Sequence, residues 1–342
     1  MKIFTHGAHR AHEAKCELIP GELVPTIETA DRIDLVWDVL SARGFGAATD
    51  CPRLTSDELL SVHDHDYLSF LETAWDEWVK SYSPDLDGIA FVWPHRNRPP
   101  RIPQAIEGRL GYYFFDGVSP ITEHVWSAAT GASGAARAAA NHLSATGEPT
   151  FALVRPPGHH AGRNMGGGTS YLNHTALAAA TLGASGARVA ILDVDAHHGN
   201  GTQDIFWANP SVLTVSIHAD PAHDYPYFSG YADETGGGSG EGFNVNLPLA
   251  PGSTWSTYAA ALGAASARIR AFAPDFVVIA LGVDGYRGDP SGKLDLQQED
   301  FSRIGDAIAA LKGPKMFVFE GGYDKAALGD CVARVLKPNS IR

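Results

Sequence analysis

The sequence predicts an α/β protein with a central, mainly parallel, multi-stranded sheet flanked by helices, and two observations predict it. Uninterrupted apolar runs recur at 151–154, 189–192, 212–217, 276–281 and 316–319, with helical stretches separating most of them. Strands buried on both faces read as continuous apolar runs, and helical crossovers between them make the connections parallel and right-handed. The second observation is where the unusual polar residues fall: 155–160, 193–198, 216–218, Asp284 and 320–323 each follow such a run directly. Open α/β sheets bind ligands at the carboxyl ends of their strands, so these clusters are expected to converge on one crevice.

Along the chain, a short opening strand is expected around Ile3 and Phe4. Residues 31–42 place Ile33, Val36, Trp37 and Leu40 at helical spacing, a second helical region covers 64–79, and an alanine-rich helix covers 126–144. Between 81 and 103 the pattern fails: five prolines and the basic group His95, Arg96 and Arg98 mark a long loop, read as a lid or a subunit contact. The glycine-rich stretch 234–242 reads as a flexible loop, since no strand-to-helix context or Lys-Ser/Thr pair makes it a phosphate cradle. The expectation is one doubly wound domain over 1–342 with no internal repeat.

Composition narrows the function. A 44% hydrophobic chain of 342 residues with 37 glycines folds as a globular protein. Its 26 basic against 39 acidic side chains give a net charge of −13, which disfavours a phosphate backbone or an anionic membrane as partner. No apolar leader follows the first basic residue and no run spans a bilayer, so a cytoplasmic protein is expected. Cys16, Cys51 and Cys331 are scattered and read as reduced structural thiols.

The segment Asp193-Val-Asp195-Ala-His197-His198 offers two carboxylates and two imidazoles, the mixed oxygen and nitrogen set that suits zinc and neighbouring divalent ions. In an extended chain Asp193, Asp195 and His197 share one face. A polar network that satisfies itself is the alternative, opposed by the repulsion among acids at one strand end. His159 and His160 sit in a Pro/Gly-constrained loop that suits proton transfer near neutral pH, with buried structural histidines as the other reading. Tyr323, on a glycine turn after the last run, is either a donor to an oxyanion or a packing residue. The tract His63-Asp64-His65-Asp66 opens a helix, where neighbours one and two apart do not share a face, and reads as solvated or capping. The Gly199-Asn200-Gly201-Thr202 helix start lacks a lysine partner and reads as the floor of the site.

The motifs RPPGHHAG, ILDVDAHHGNGTQDIF, LGVD and EGGY, in this order, resemble the arginase-deacetylase superfamily and its zinc-dependent histone deacetylase branch. GELVP, HDHDYLSFLETAWDEW, the loop ending RIP and HADPAHDYPYFSGYADETG resemble, more narrowly, acetylpolyamine amidohydrolases. The resemblance covers nearly the whole chain and implies a three-layer arginase/deacetylase fold with one zinc per subunit on Asp195, His197 and Asp284. It further implies His160 as general base and then acid, His159 oriented by Asp193 as an electrostatic group, Tyr323 as oxyanion donor and Asn200 as a supporting residue. A potassium ion on Asp193, Asp195, the His197 carbonyl and Ser216, and a homodimer joined through 81–103, belong to the same expectation.

Departures from the family pattern fall on the substrate channel, which the resemblance places at Gly168, Thr169 and Tyr225. Thr169 stands where relatives carry an aromatic, so a wider channel is expected. Val118 stands where relatives often carry a glutamate, leaving Glu107 and Asp116 as nearby carboxylates, and Arg287-Gly288-Asp289-Pro290 looks closer to protein deacetylases. The expected reaction is hydrolysis of an N-acetylated polyamine or related small aliphatic amine. A deacylase of acetyl-lysine or of a bulkier or uncharged amide, a manganese ureohydrolase and a non-catalytic amide-binding module are the rivals.

Overall fold

The computed structural model describes residues 1–19 and 21–340. Its strands are β1 (Lys2–Thr5), β2 (Glu17–Ile19), β3 (Glu22–Val24), β4 (Ala48–Asp50), β5 (Thr150–Ala152), β6 (Val189–Asp193), β7 (Val212–Ala219), β8 (Asn244–Leu249), β9 (Phe276–Leu281) and β10 (Lys315–Phe319). The helices are α1 (Asp31–Ala42), α2 (His65–Ser81), α3 (Ile106–Tyr113), α4 (Val125–Thr146), α5 (His174–Gly183), α6 (Asn200–Phe206), α7 (Trp255–Phe272), α8 (Gln298–Ala309) and α9 (Leu328–Ser340).

Among the described residues, eight strands form one sheet in the order β4-β1-β5-β10-β9-β6-β7-β8, with every neighbouring pair parallel, while β2 and β3 pair antiparallel on their own. The five strands read as apolar runs are consecutive neighbours in the middle of this sheet. Side chains alternate between its two faces as strand geometry requires. On β10, Met316 and Val318 join one core with α2, α4 and α5, while Phe317 and Phe319 join the other with α1, α7, α8 and α9. Helix, sheet and helix therefore make the three layers expected.

Helix α4 succeeds on alanine because Ala128, Ala132, Ala135, Ala136 and Ala139 leave room for close packing, and it ends at Gly147 in a left-handed C-cap. Helix α2 runs to Ser81, beyond which 82–103 carries no helix and leaves Phe91, Val92 and Trp93 exposed. None of the described helices is long and apolar enough to cross a membrane. The three cysteines are free thiols.

Candidate metal centre and catalytic cleft

The cleft lies at the carboxyl ends of β5, β10, β9 and β6. Asp195 and His197 follow β6, Asp284 follows β9, and each offers one ligand atom, all within 4.8 Å of one another. The period-two reading of 193–197 is corrected, since the strand ends at Asp193. Beyond it the chain turns twice upon itself: the Asp195 amide donates to Asp193 Oδ1 at 3.1 Å and the His197 amide to Asp195 Oδ1 at 2.9 Å. These side-chain-to-backbone turns, not extended alternation, aim the two groups. Asp284 is fixed by the Ala196 amide, 2.8 Å from its Oδ1. Gly321 donates its amide to Asp195 Oδ2 at 2.8 Å, and a Cβ there would lie 2.4 Å from Asp284 Oδ2 and 2.5 Å from Asp195 Oδ2, so only glycine fits.

His197 Nδ1 lies 2.9 Å from Asp284 Oδ2 and 3.3 Å from Asp195 Oδ1, and its Nε2 lies 3.3 Å from the Ser291 carbonyl. An Nε2 proton donated to Ser291 leaves the Nδ1 lone pair facing two carboxylates, an arrangement that a cation between them satisfies, as a proton on Nδ1 does without one. Two oxygens and one imidazole nitrogen around an open position fit a catalytic zinc. The charges respond as a buried acidic pair must. Burial, then the neighbouring Asp195, pushes Asp284 up to about 7. Burial favours raising Asp195 too, but the His159 charge overrides it and holds that carboxyl below its usual value.

His159 Nδ1 pairs with Asp193 Oδ2 at 2.9 Å, and its amide and that of Gly158 donate to the buried Glu320 carboxylate. Burial opposes its charge, but Asp195 and Asp193 prevail and raise it to about 10. His160 differs: Nδ1 meets the neutral Asn200 amide oxygen at 2.7 Å, and burial followed by the His159 charge holds its pKa well below the usual value. The two rings, with centroids 4.0 Å apart and planes tilted at 47°, therefore differ in charge.

Tyr323, after β10, is partly buried and its hydroxyl pKa is raised by burial against the opposing Arg32 charge. Its amide donates to Asp289 Oδ2 at 2.6 Å, and the Arg32 guanidinium lies 4.6 Å from its ring centroid. Asp289 and Arg32 were not singled out as supports. Asp289 belongs to the RGDP segment, and a lone arginine beside the apolar stripe of α1, four residues after Glu28, was the visible signal for the other.

Ser216 and His218 lie within β7, not after it. Ser216 is directly opposite Asp193 in the register, and its hydroxyl meets His218 Nδ1 at 2.7 Å. In the histidine tract, His65 and Asp66 are exposed, but His63 is buried and ties the Gly162 carbonyl to the Asn173 amide, so for that residue a structural bridge replaces solvation or capping.

Of the channel candidates, Gly168, Thr169, Tyr225 and Asp116 come together beside His160. Asp116 is not a free carboxylate: Oδ2 accepts from Tyr225 Oη at 2.5 Å and from the Gly168 amide at 2.8 Å, and Oδ1 from the Val118 amide at 3.1 Å. Glu107 is held by the Tyr82 hydroxyl at the start of α3, and among the described residues no hydrogen bond joins it to the cleft.

A histone deacetylase domain matches residues 26–338. The chain belongs to the histone deacetylase family. It is 45% identical over 331 residues to acetylpolyamine amidohydrolase 1 of Pseudomonas aeruginosa, covering 96% of each chain. It is 41% identical over 338 residues to the acetylpolyamine amidohydrolase of Mycoplana ramosa, covering 98% of this chain and 99% of that one. The crystal structure of the acetylpolyamine aminohydrolase from Burkholderia pseudomallei superposes with a TM-score of 0.94 at 34% identity, covering 99% of this chain and 98% of the other. This family member is therefore similar to amidohydrolases in fold and along nearly its whole length.

Proposed function

We propose that the chain is a zinc-dependent amidohydrolase that converts N-acetylated polyamines or related small aliphatic amines to free amine and acetate, with the whole of 1–342 as one catalytic domain. The convergence of Asp195, His197 and Asp284 beside two differently charged histidines supports this reading most. Asp195, His197 through Nδ1 and Asp284 would hold the ion. When bound there, zinc supplies Lewis acidity toward an amide carbonyl and acidity toward water.

The chain's own groups do the rest. Asn200 accepts the Nδ1 proton of His160, so Nε2 is free to take a proton from the attacking water. His160 then returns that proton to the leaving nitrogen, and the C–N bond breaks to give amine and carboxylate. His159, charged and held by Asp193, stabilises negative charge developing on the carbonyl oxygen, and the Tyr323 hydroxyl donates to the same oxygen. A potassium ion held by Asp193, Asp195, the His197 carbonyl and Ser216 behind the first site belongs to the same proposal. So do a cytoplasmic location and a homodimer through 81–103, where exposed Phe91, Val92 and Trp93 offer an apolar contact.

Acetate release from acetylputrescine, acetylcadaverine and an acetyl-lysine peptide, with and without restored zinc, tests the reading. Zinc-dependent turnover favouring the diamines is expected. Turnover of the peptide alone replaces the polyamine assignment with an acyl-lysine one, and no turnover of any amide refutes the hydrolase. Sedimentation at micromolar concentration tests the dimer, and a monomer there removes it.

A further inference from the structure

The stretch from Gly166 to Thr169 presents almost no side chain to the cleft. Thr169 takes a positive φ of 58°, and its hydroxyl turns back onto the Gly168 carbonyl at 2.6 Å. The wall this leaves bare is supplied from elsewhere. Phe115, from the loop after α3, lies so close over Gly167 that a Cβ there would meet its ring at 2.3 Å. The Phe115 amide is pinned to the Gly166 carbonyl at 3.0 Å, and its ring stacks on Tyr225 with centroids 6.1 Å apart and planes at 27°.

Tyr225, from the loop after β7, is edge-on to His160 and His197, with ring centroids at 5.0 and 6.1 Å. Its hydroxyl crosses to Asp116, and the same Asp116 oxygen holds the Gly168 amide. A Cβ on Gly168, which has φ 55°, would lie 2.3 Å from His160 and 2.8 Å from the Tyr225 hydroxyl. Three separate loops are thereby clasped around one carboxylate, and no space for a further side chain remains between the clasp and His160.

We propose that Phe115 and the Asp116–Tyr225 clasp set the cross-section of the passage to the Asp195, His197 and Asp284 site, admitting an unbranched acylated amine and turning away an aryl or branched one. Phe115 and Tyr225 are the specificity-determining walls and Asp116 is a positioning residue, since its oxygens are committed to the clasp. The inference rests on the amidohydrolase reading and adds the shape of the substrate to it.

The test uses the zinc-loaded full chain and three amides: N-acetylbutylamine, acetylputrescine and N-acetylbenzylamine. Phe115→Ala and Tyr225→Phe are each expected to raise kcat/KM for the benzyl relative to the butyl amide by about tenfold, mostly through KM, the scale of a changed apolar contact. Asp116→Asn keeps one acceptor oxygen but turns an amide NH2 toward donors the carboxylate now serves, so it is expected to loosen the clasp and shift the benzyl-to-butyl ratio in the same direction as Tyr225→Phe, with the double variant gaining less than the sum of the two. Phe115→Leu covers the case in which the alanine variant does not fold. A benzyl-to-butyl ratio unchanged in the wall variants overturns the proposal. So does an Asp116→Asn effect confined to acetylputrescine, which makes Asp116 an ammonium ligand. If the native chain hydrolyses none of the three, the small-amine substrate reading fails by itself. The clasp is then decided by calorimetry with octanoyl and benzoyl hydroxamic acids: the wall variants must favour the aryl compound, and an unchanged affinity ratio overturns the clasp.

Discussion

Glu28 and Arg155 form a fully buried ion pair, Oε1 to Nε 2.8 Å, and the same carboxylate oxygen accepts from Arg32 Nη1 at 2.8 Å. Arg155 opens the loop of the paired histidines, while Arg32 donates to the carbonyls of Glu320 and Gly322 at 2.6 and 2.8 Å. One carboxylate thus ties together the segments that carry His160 and Tyr323. Glu28→Ala leaves two guanidinium groups buried without their anion, and unfolding in urea should show a loss of about 3–5 kcal/mol.

Proton transfer and oxyanion donation should separate kinetically from binding. His160→Ala is expected to lower kcat on the best acetylated amine by about 10²–10⁴-fold, and Tyr323→Phe by about 10²–10³-fold, each with little change in KM. Steady-state acetate release measures both; a variant retaining native kcat removes that residue from the chemistry.

Removal of the metal acts on stability as well as turnover. A cation bound at a hundred to a thousand times its Kd stabilises the fold by about 3–4 kcal/mol. Chelation should therefore lower the melting temperature along with abolishing acetate release, and added zinc should restore both. Asp284→Asn removes one carboxylate ligand, and elemental analysis after dialysis should find most of its zinc lost. Full zinc retention places the ion elsewhere.

Burial pushes Glu17 up from 4.5 to about 7. Below pH 4.5 both folded and unfolded chains carry its proton and its favourable linkage is complete. As pH rises from 4.5 to 7 the unfolded chain ionises while the folded chain holds the proton, so stability is lost across that window and the loss is constant above it. Reduced by partial solvent screening, the effect is about 1–2 kcal/mol. The melting temperature of the native chain relative to Glu17→Gln should fall between pH 5 and 8; a flat difference contradicts the raised carboxyl.

The central strands were legible because burial on both faces leaves no room for polar alternation: 276–281 is both the apolar run and the strand. The edges were not. Strand β8 alternates asparagine with apolar residues, and Asn244 and Asn246 turn inward to Gln203 Oε1, a partner 41 and 43 positions away. Short β4 carries an aspartate and a threonine and has one sheet neighbour. The Asp195, His197 and Asp284 cluster was visible as a local group plus Asp284, since strand-end position brings them together. The supports were not, because Arg32 and Glu320 meet across 288 residues and nothing local in α1 demands a buried arginine. Asp116 and Glu107 looked equivalent as acids near one helix. Only packing commits the first to Tyr225 and the second to Tyr82.

The residues proposed to flank the substrate and those proposed to hold the metal sit on different pieces of chain. Phe115 and Asp116 lie between α3 and α4, and Tyr225 follows β7, whereas Asp195, His197 and Asp284 hang from β6 and β9 in the centre of the sheet. A replacement in either outer loop alters what fits without disturbing a strand, a metal ligand or the Glu28 ion pair. The architecture therefore lets selection alter diet and chemistry at separate rates: related chains can diverge in the amide they accept while the hydrolytic centre stays fixed.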